Sequence, residues 1–325
     1  MSVGHPMTLD TMDAREEHHR IESPHPGLSL FLRRLAPPTG GGRPVLYVHG
    51  ATFPSALSVA HQFANGAWRD ALVRAGFDVW ALDFLGFGGS DPYPGMSEPA
   101  EDRGPLLLAA DAAIQLETAM RFVADRTSAE RVSLLAHSWG TAVAGLLAGR
   151  HPDLVDRLVL FGPISRRDPP RYRPRPDGPA WRIVTAQAQW ERFVEDVPAG
   201  EPPVLSRTEF DDWAQRYLDS EPGSRKRDPA GVKVPTGPFV EILRSWHGEL
   251  PYDPGLVRAP VCLIRGEWDG LATDADARWL FDAFTGAAER RDVKIGRGTH
   301  LLHLEANREA LWRESIAFLD QPTLP

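Results

Sequence analysis

Cysteine is nearly absent from this chain of 325 residues: Cys262 is the sole one, which excludes an intrachain disulfide and leaves the redox compartment unconstrained. It sits in the apolar run 261–264, where a small buried hydrophobe is expected rather than a reactive thiol. Long apolar runs are missing too. Residues 1–20 are polar and charged, and no later segment reaches membrane-spanning length, so a cytoplasmic protein without a membrane partner is expected. Basic charge is not in excess: 36 Lys and Arg against 44 Asp and Glu give a formal charge of -8. With no basic stripe interleaved with aromatics, a nucleic-acid partner is not expected. Metal-binding spacings of the H-E-x-x-H and C-x-x-C kinds are lacking, and His18-His19 falls in a stretch, 1–20, that reads as a flexible arm. No metal and no cofactor are expected. Residues 83–90 are glycine-rich but follow neither phosphate-loop spacing, so they are not read as a phosphate site.

What is present is a globular composition, 42% apolar and 25% charged, long enough for one α/β core carrying an insertion. Runs 18–23 and 28–35, separated by Pro24, Pro26 and Gly27, read as a pair of antiparallel edge strands. The runs 45–48, 79–82, 132–135 and 158–161 are almost wholly apolar, the pattern of strands buried on both faces. Helical spacing occurs over 67–75, 106–126, 141–149 and 274–284. Such alternation implies a mostly parallel sheet flanked by helices. After Phe161 it stops for about ninety residues, too many for a simple loop, and resumes at 261–265. Residues 162–250, with helix-like runs at 181–197, 208–218 and 239–247, are therefore expected to form an inserted, mainly helical cap. Its place is over the carboxyl edge of the sheet, where open α/β folds bind ligands. The core would then comprise 21–161 and 251–325.

The strongest chemical signal is Ala136-His137-Ser138-Trp139-Gly140 between a strand and a small-residue helix. A serine lifted on a strained strand-to-helix turn needs small residues two before and two after it, and Ala136 and Gly140 supply them. The turn aims the helix N-terminus and the Trp139 backbone N–H at a carbonyl under attack, making Trp139 one oxyanion donor. A second backbone donor is expected where His49-Gly50-Ala51-Thr52 leaves the strand at 45–48, and Ala51 is the candidate. His49 is read as a structural hydrogen-bonding residue.

These segments, with Asp83 to Ser90, Gly266-Glu267-Trp268-Asp269 and Gly298-Thr299-His300, resemble the α/β-hydrolase family from about residue 28 to 318. The resemblance implies the chain order nucleophile, acid, histidine: Ser138, then Asp269 after the strand that follows the cap, then His300 in a loop after the run 292–295. His303 and His247 are alternatives for the base; Glu267, Asp274, Asp276 and Asp168 for the acid. Asp274 and Asp276 fit better at the start of the next helix. In this family the loop corresponding to 83–90 lies at the site rim. Ala136 stands where glycine is commoner.

The cap segment carries Trp181, Trp190, Phe193, Trp213, Phe239 and Trp246, side chains suited either to a roomy apolar pocket or to the cap's own core. Trp181, Trp190 and Trp246 are the candidates for substrate contact. Arg166, Arg167, Arg171, Arg173 and Arg175, spaced by prolines, read as a solvated loop. The expected activity is hydrolysis of a carboxylic ester of a bulky, apolar small molecule through an acyl-enzyme, lactones included. Residues 49–55 with the aromatic cap resemble esterases that open macrocyclic lactones such as macrolides. Carbon–carbon bond hydrolases also keep the serine. Proline iminopeptidases share Ser-Trp-Gly but carry His-Gly-Gly-Pro-Gly where this chain has His-Gly-Ala-Thr-Phe-Pro. Dehalogenases and epoxide hydrolases use aspartate at the elbow, against which Ser138 argues. A non-catalytic small-molecule-binding protein on the same fold is the alternative of another class.

Overall fold

The computed structural model describes residues 15–167 and 178–322. Along the chain the strands are β1 (Glu17–Glu22), β2 (Ser29–Leu35), β3 (Arg43–Val48), β4 (Phe77–Asp83), β5 (Val132–His137), β6 (Val155–Phe161), β7 (Trp181–Thr185), β8 (Gly231–Pro235), β9 (Val261–Gly266) and β10 (Arg290–Ile295). The helices are α1 (Trp68–Arg74), α2 (Ala109–Thr127), α3 (Trp139–Arg150), α4 (Ala186–Val194), α5 (Arg207–Asp219), α6 (Gly237–Trp246), α7 (Asp274–Ala283) and α8 (Arg308–Leu319).

Eight strands form one sheet in the order β1-β2-β4-β3-β5-β6-β9-β10. From β4 to β10 all neighbours are parallel, while β2 joins β4 and β1 joins β2 antiparallel. The continuous apolar runs follow from burial on both faces. Along β3, Leu46 and Val48 point into the core under α2 and α3, whereas Val45 and Tyr47 point into the core under α1 and α8. Cys262 lies in the second core, 1% exposed, and burial pushes its thiol up to about 12, which makes it unreactive.

Two expectations for the amino-terminal part change. β1 takes in Glu17 to Arg20, so the last residues of the expected arm, His18 and His19 included, are sheet residues; residues 1–14 lie outside the described part. Of the two strands expected at the edge, only β1 lies there, because β2 pairs on its other side with Val79 to Asp83 of β4.

Between β6 and β9 the chain leaves the sheet and builds α4, α5, α6 and a separate two-stranded antiparallel sheet of β7 and β8. The insert is mainly helical, as expected, and the strand pair is an addition to its three helices. The run 181–197 begins as β7, with Arg182 and Ile183 extended, and turns helical where the Thr185 hydroxyl accepts the Ala188 N–H and caps α4. Aromatic packing holds this insert to the core: Phe53 meets Phe193 and Trp213 edge-on, and Trp213 Nε1 donates to Leu57 O at 2.9 Å. Among the described residues no helix is long and apolar enough to cross a membrane.

From β3 the chain passes to β4 on one side and later to β5 on the other, so the order reverses there. In an open parallel sheet a crevice opens at the carboxyl ends of the strands flanking such a reversal. Ala51 follows β3 and Ser138 follows β5.

Candidate active site

Ser138 is the single residue between β5 and α3, held at φ 56° and ψ -129°. This left-handed backbone costs a non-glycine residue roughly 1–3 kcal/mol. Neighbouring backbone over-determines it: Ser138 N donates to Phe161 O at 2.9 Å, and Thr141 donates to Ser138 O from both N (2.9 Å) and Oγ1 (2.5 Å). Gly140 is required by proximity, since a Cβ there would stand 2.4 Å from His49 O and 2.9 Å from Val48 O. Ala136 is fully buried in the strand before the turn.

The loop after β10 brings His300 to Ser138, with Nε2 2.8 Å from the serine Oγ, and Nδ1 lies 3.0 Å from both carboxylate oxygens of Asp269. Asp269 Oδ1 also accepts the N–H groups of Leu271 and Ala272 at 2.9 Å. Burial alone would raise this carboxyl's pKa. The attraction of His300 and the hydrogen bonds from His300, Ala272 and Leu271 outweigh burial and hold it below the usual carboxylate range. An ionised Asp269 fixes the proton of neutral His300 on Nδ1 and leaves Nε2 free to accept from the serine hydroxyl.

Ala51 lines the cavity in front of the serine; Trp139 is the first residue of α3, whose N–H has no intrahelical acceptor. His49 does not face the reaction space. Its Nε2 accepts the Phe84 N–H at 3.1 Å and its ring packs edge-on against Phe84 and Phe87. Nor do residues 83–90 line the cavity, a correction to the rim position expected of them: Phe84, Leu85 and Phe87 are core, and Asp83 Oδ1 accepts the N–H and hydroxyl of Ser55.

The rival residues go elsewhere. His303 is buried behind the site, its ring 4.5 Å from that of His137, and His247 ends α6 with Nδ1 on Leu243 O. Asp274 pairs with Arg265 and Lys294; Asp276 caps α7 through Thr273 and binds Arg167; Glu267 accepts the Arg297 N–H. Asp168, with Arg171, Arg173 and Arg175, lies outside the described residues. Arg167 is not a freely solvated loop residue, since it is paired with Asp276 and stacked 4.4 Å over Trp246.

Several supporting residues carry no sequence signal. Glu241 of α6 is buried, and its Oε2 accepts both the Trp139 indole N–H (3.0 Å) and the Ala109 N–H at the start of α2 (2.6 Å). Burial raises its pKa, and those two hydrogen bonds partly offset the rise. Glu305, fully buried, accepts the Thr299 N–H at 2.9 Å and binds the Thr299 hydroxyl, one residue before His300. Burial drives its carboxyl up to about 7, with Asp269 and Asp196 adding to the rise. His137 is held well below the usual imidazole range, by burial first and then by His303 and His300. As a neutral ring it donates from Nε2 to His300 O at 3.1 Å. Gly162, at φ 57°, leaves space for the His300 ring, which a Cβ there would approach to 2.9 Å.

A cavity of about 550 Å³ opens before Ser138. Its floor is Gly50, Ala51, His137, Ser138 and His300; β7, α4 and α6 of the insert supply Arg182, Val184, Phe193, Phe239, Ile242 and Trp246. Of the three tryptophans expected to contact substrate, Trp246 lines this space. Trp181 instead donates to Glu98 O at 3.1 Å and carries Lys233 over its ring, and Trp190 packs on Phe210. Trp181 thus ties the insert to the core at Glu98, while Trp190 packs within the insert, as do Trp213 and Tyr217, stacked at 5.1 Å.

The fold and this arrangement of turn, histidine loop and acid define an α/β hydrolase. Residues 43–307 match the sequence model of the alpha/beta hydrolase fold, and the chain belongs to that family. Over 120 residues, 37% of this chain, it is 28% identical to human lipase member N; over 128 residues it is 24% identical to human lysosomal acid lipase/cholesteryl ester hydrolase. The matched stretches span about a third of those relatives, 30% and 32% of their lengths. Among solved structures, a serine hydrolase from the polyaromatic-hydrocarbon-degrading bacterium Cycloclasticus zankles superposes with TM-score 0.63 at 16% identity, covering 94% of this chain and 98% of that one. An epoxide hydrolase from Vigna radiata gives 0.61 at 17%, with the same coverage of both chains. These structural likenesses concern the fold.

Proposed function

We propose that the protein is a serine hydrolase that cleaves carboxylic esters, lactones included, of bulky apolar small molecules. The observation that carries this reading is the unbroken chain Ser138 Oγ to His300 Nε2 (2.8 Å) and His300 Nδ1 to Asp269 (3.0 Å), opening on a mainly apolar cavity. His300 takes the hydroxyl proton as Ser138 Oγ attacks the ester carbonyl, and Asp269 stabilises the imidazolium. The carbonyl oxygen, now negative, receives the N–H groups of Ala51 and Trp139, each worth roughly 3–4 kcal/mol to the transition state. The tetrahedral adduct collapses, the carbon–oxygen bond to the leaving group breaks, and His300 gives that alkoxide its proton. Water deprotonated by the same histidine attacks the acyl-enzyme, and collapse releases the acid and restores Ser138. In this reading residues 162–250 act as the cap over a core formed by 21–161 and 251–325. The short matches to lipases support ester chemistry.

The test is product formation from a panel of aryl, alkyl and macrolactone esters by the wild type and by Ser138→Ala. Turnover by the wild type with a loss of about 10⁴-fold or more in the variant is the expected result. Saturable binding without turnover by either protein would instead place the chain among non-catalytic binders.

A further inference from the structure

Within the cavity the charges are unevenly matched. Arg192 is paired with Glu195 at 2.7 Å and Asp196 at 3.4 Å, and His300 is paired with Asp269. Arg182, on β7, lines the same space with no ion pair or hydrogen bond among the described residues; its guanidinium lies 3.4 Å over the Phe239 ring. Arg182 is exposed at the mouth of the cavity; partial desolvation by its neighbours pulls its pKa down, and the opposing influence is the Tyr217 phenol rather than a carboxylate. A guanidinium stacked on one face keeps its edge N–H groups for an acceptor, and a carboxylate matches that planar fork with two parallel hydrogen bonds. A neutral apolar ligand would cover this cation without compensating it, which costs free energy. One guanidinium without a carboxylate partner among the described residues suits a single carboxylate, whereas Arg192 already faces two, Glu195 and Asp196.

We propose that Arg182 is a specificity residue that receives a carboxylate carried by the substrate, so that the preferred substrates are amphipathic esters with an apolar body and one carboxylate remote from the scissile bond. This rests on the ester-hydrolase reading above and narrows its substrate class. The lipophilic lining holds the body, and Arg182 fixes which end enters away from Ser138.

The experiment compares mono-4-nitrophenyl esters of straight-chain dicarboxylic acids of about four to eight carbons, lengths that such a cavity holds, with neutral 4-nitrophenyl alkanoates of equal length. The readout is the ratio of kcat/KM for acid over neutral ester in the wild type, Arg182→Met, Arg182→Gln and Arg182→Lys. At the best length the wild-type ratio exceeds one and falls as salt is added; Met and Gln lower it tenfold or more, and Lys lies between. A wild-type ratio below one at every length, or the same ratio in the wild type and both neutral variants, overturns the proposal. Calorimetric binding of the monomethyl esters of the same acids to Ser138→Ala, with and without Arg182→Met, reads Arg182 apart from turnover. If no ester is hydrolysed yet Arg182→Met weakens this binding tenfold, the ester reading fails and the carboxylate site stands. Equal binding by both sinks the carboxylate site.

Discussion

Replacing Glu305 by glutamine should abolish a pH dependence of stability that the wild type owes to one buried carboxyl. In the folded chain Glu305 holds its proton up to about 7, against an ordinary value of 4.5, because burial disfavours the anion and Asp269 repels it. The sign follows from linkage. Between pH 4.5 and 7 the folded state keeps a proton that the unfolded chain has released, so the unfolding free energy falls as pH rises. The stabilisation is complete below the unfolded value and lost as pH passes the folded one. At roughly 1.4 kcal/mol per pH unit the loss totals about 3 kcal/mol. Glutamine mimics the protonated acid: its carbonyl accepts the Thr299 N–H and its amide donates to the Thr299 hydroxyl, the two groups Glu305 now engages. Urea unfolding of wild type and Glu305→Gln at half-unit steps from pH 4 to 8 is the assay. The difference between them should shift by about 3 kcal/mol in favour of the variant across that range. A difference independent of pH would refute the reasoning, because Glu305 would then titrate alike in both states.

Glu241→Ala should lose about 2–5 kcal/mol of stability by leaving the Trp139 indole and Ala109 N–H groups buried without an acceptor, while Glu241→Gln keeps a carbonyl for both and loses much less; equal losses in denaturant melts would show that the acceptor is not what Glu241 supplies. Gly140→Ala forces a Cβ to within 2.4 Å of the His49 carbonyl and should cost roughly 3 kcal/mol, read as a lowered urea midpoint, with an unchanged midpoint as the contrary result. Asp269→Asn, which frees His300 to take the wrong tautomer, should lower kcat by about 10³–10⁴-fold on an ester that the wild type cleaves, and a loss under tenfold would count against its role.

The core strands are legible in the sequence because burial on both faces forces unbroken apolar runs, and the elbow because its backbone tolerates only small neighbours at 136 and 140. Asp269 and His300 are indicated only by the family resemblance, and the fold brings them to Ser138 from segments 131 and 162 positions away in the chain. The rest depended on contacts that leave no local pattern. Trp181 to Thr185 carries a helix-compatible spacing continued by α4, and its extended form is decided by pairing with Gly231 to Pro235. Trp181 and Trp190 are as aromatic as Trp246, and only the packing of the insert separates structural from cavity-lining indoles. Glu241 and Glu305 look like ordinary helix-region acids; Glu241 meets its partners 102 and 132 positions away in sequence, and Glu305 becomes unusual through complete burial.

The most direct measurement is peptide mapping by mass spectrometry after treatment with a phosphonofluoridate, which a triad serine attacks with loss of fluoride. One phosphonyl group per chain on Ser138, with none on Ser138→Ala and labelling greatly slowed in His300→Ala, is the predicted result. Ester hydrolysis that persists while Ser138 remains unlabelled, or with the label on another serine, would contradict the assignment of Ser138 as the nucleophile.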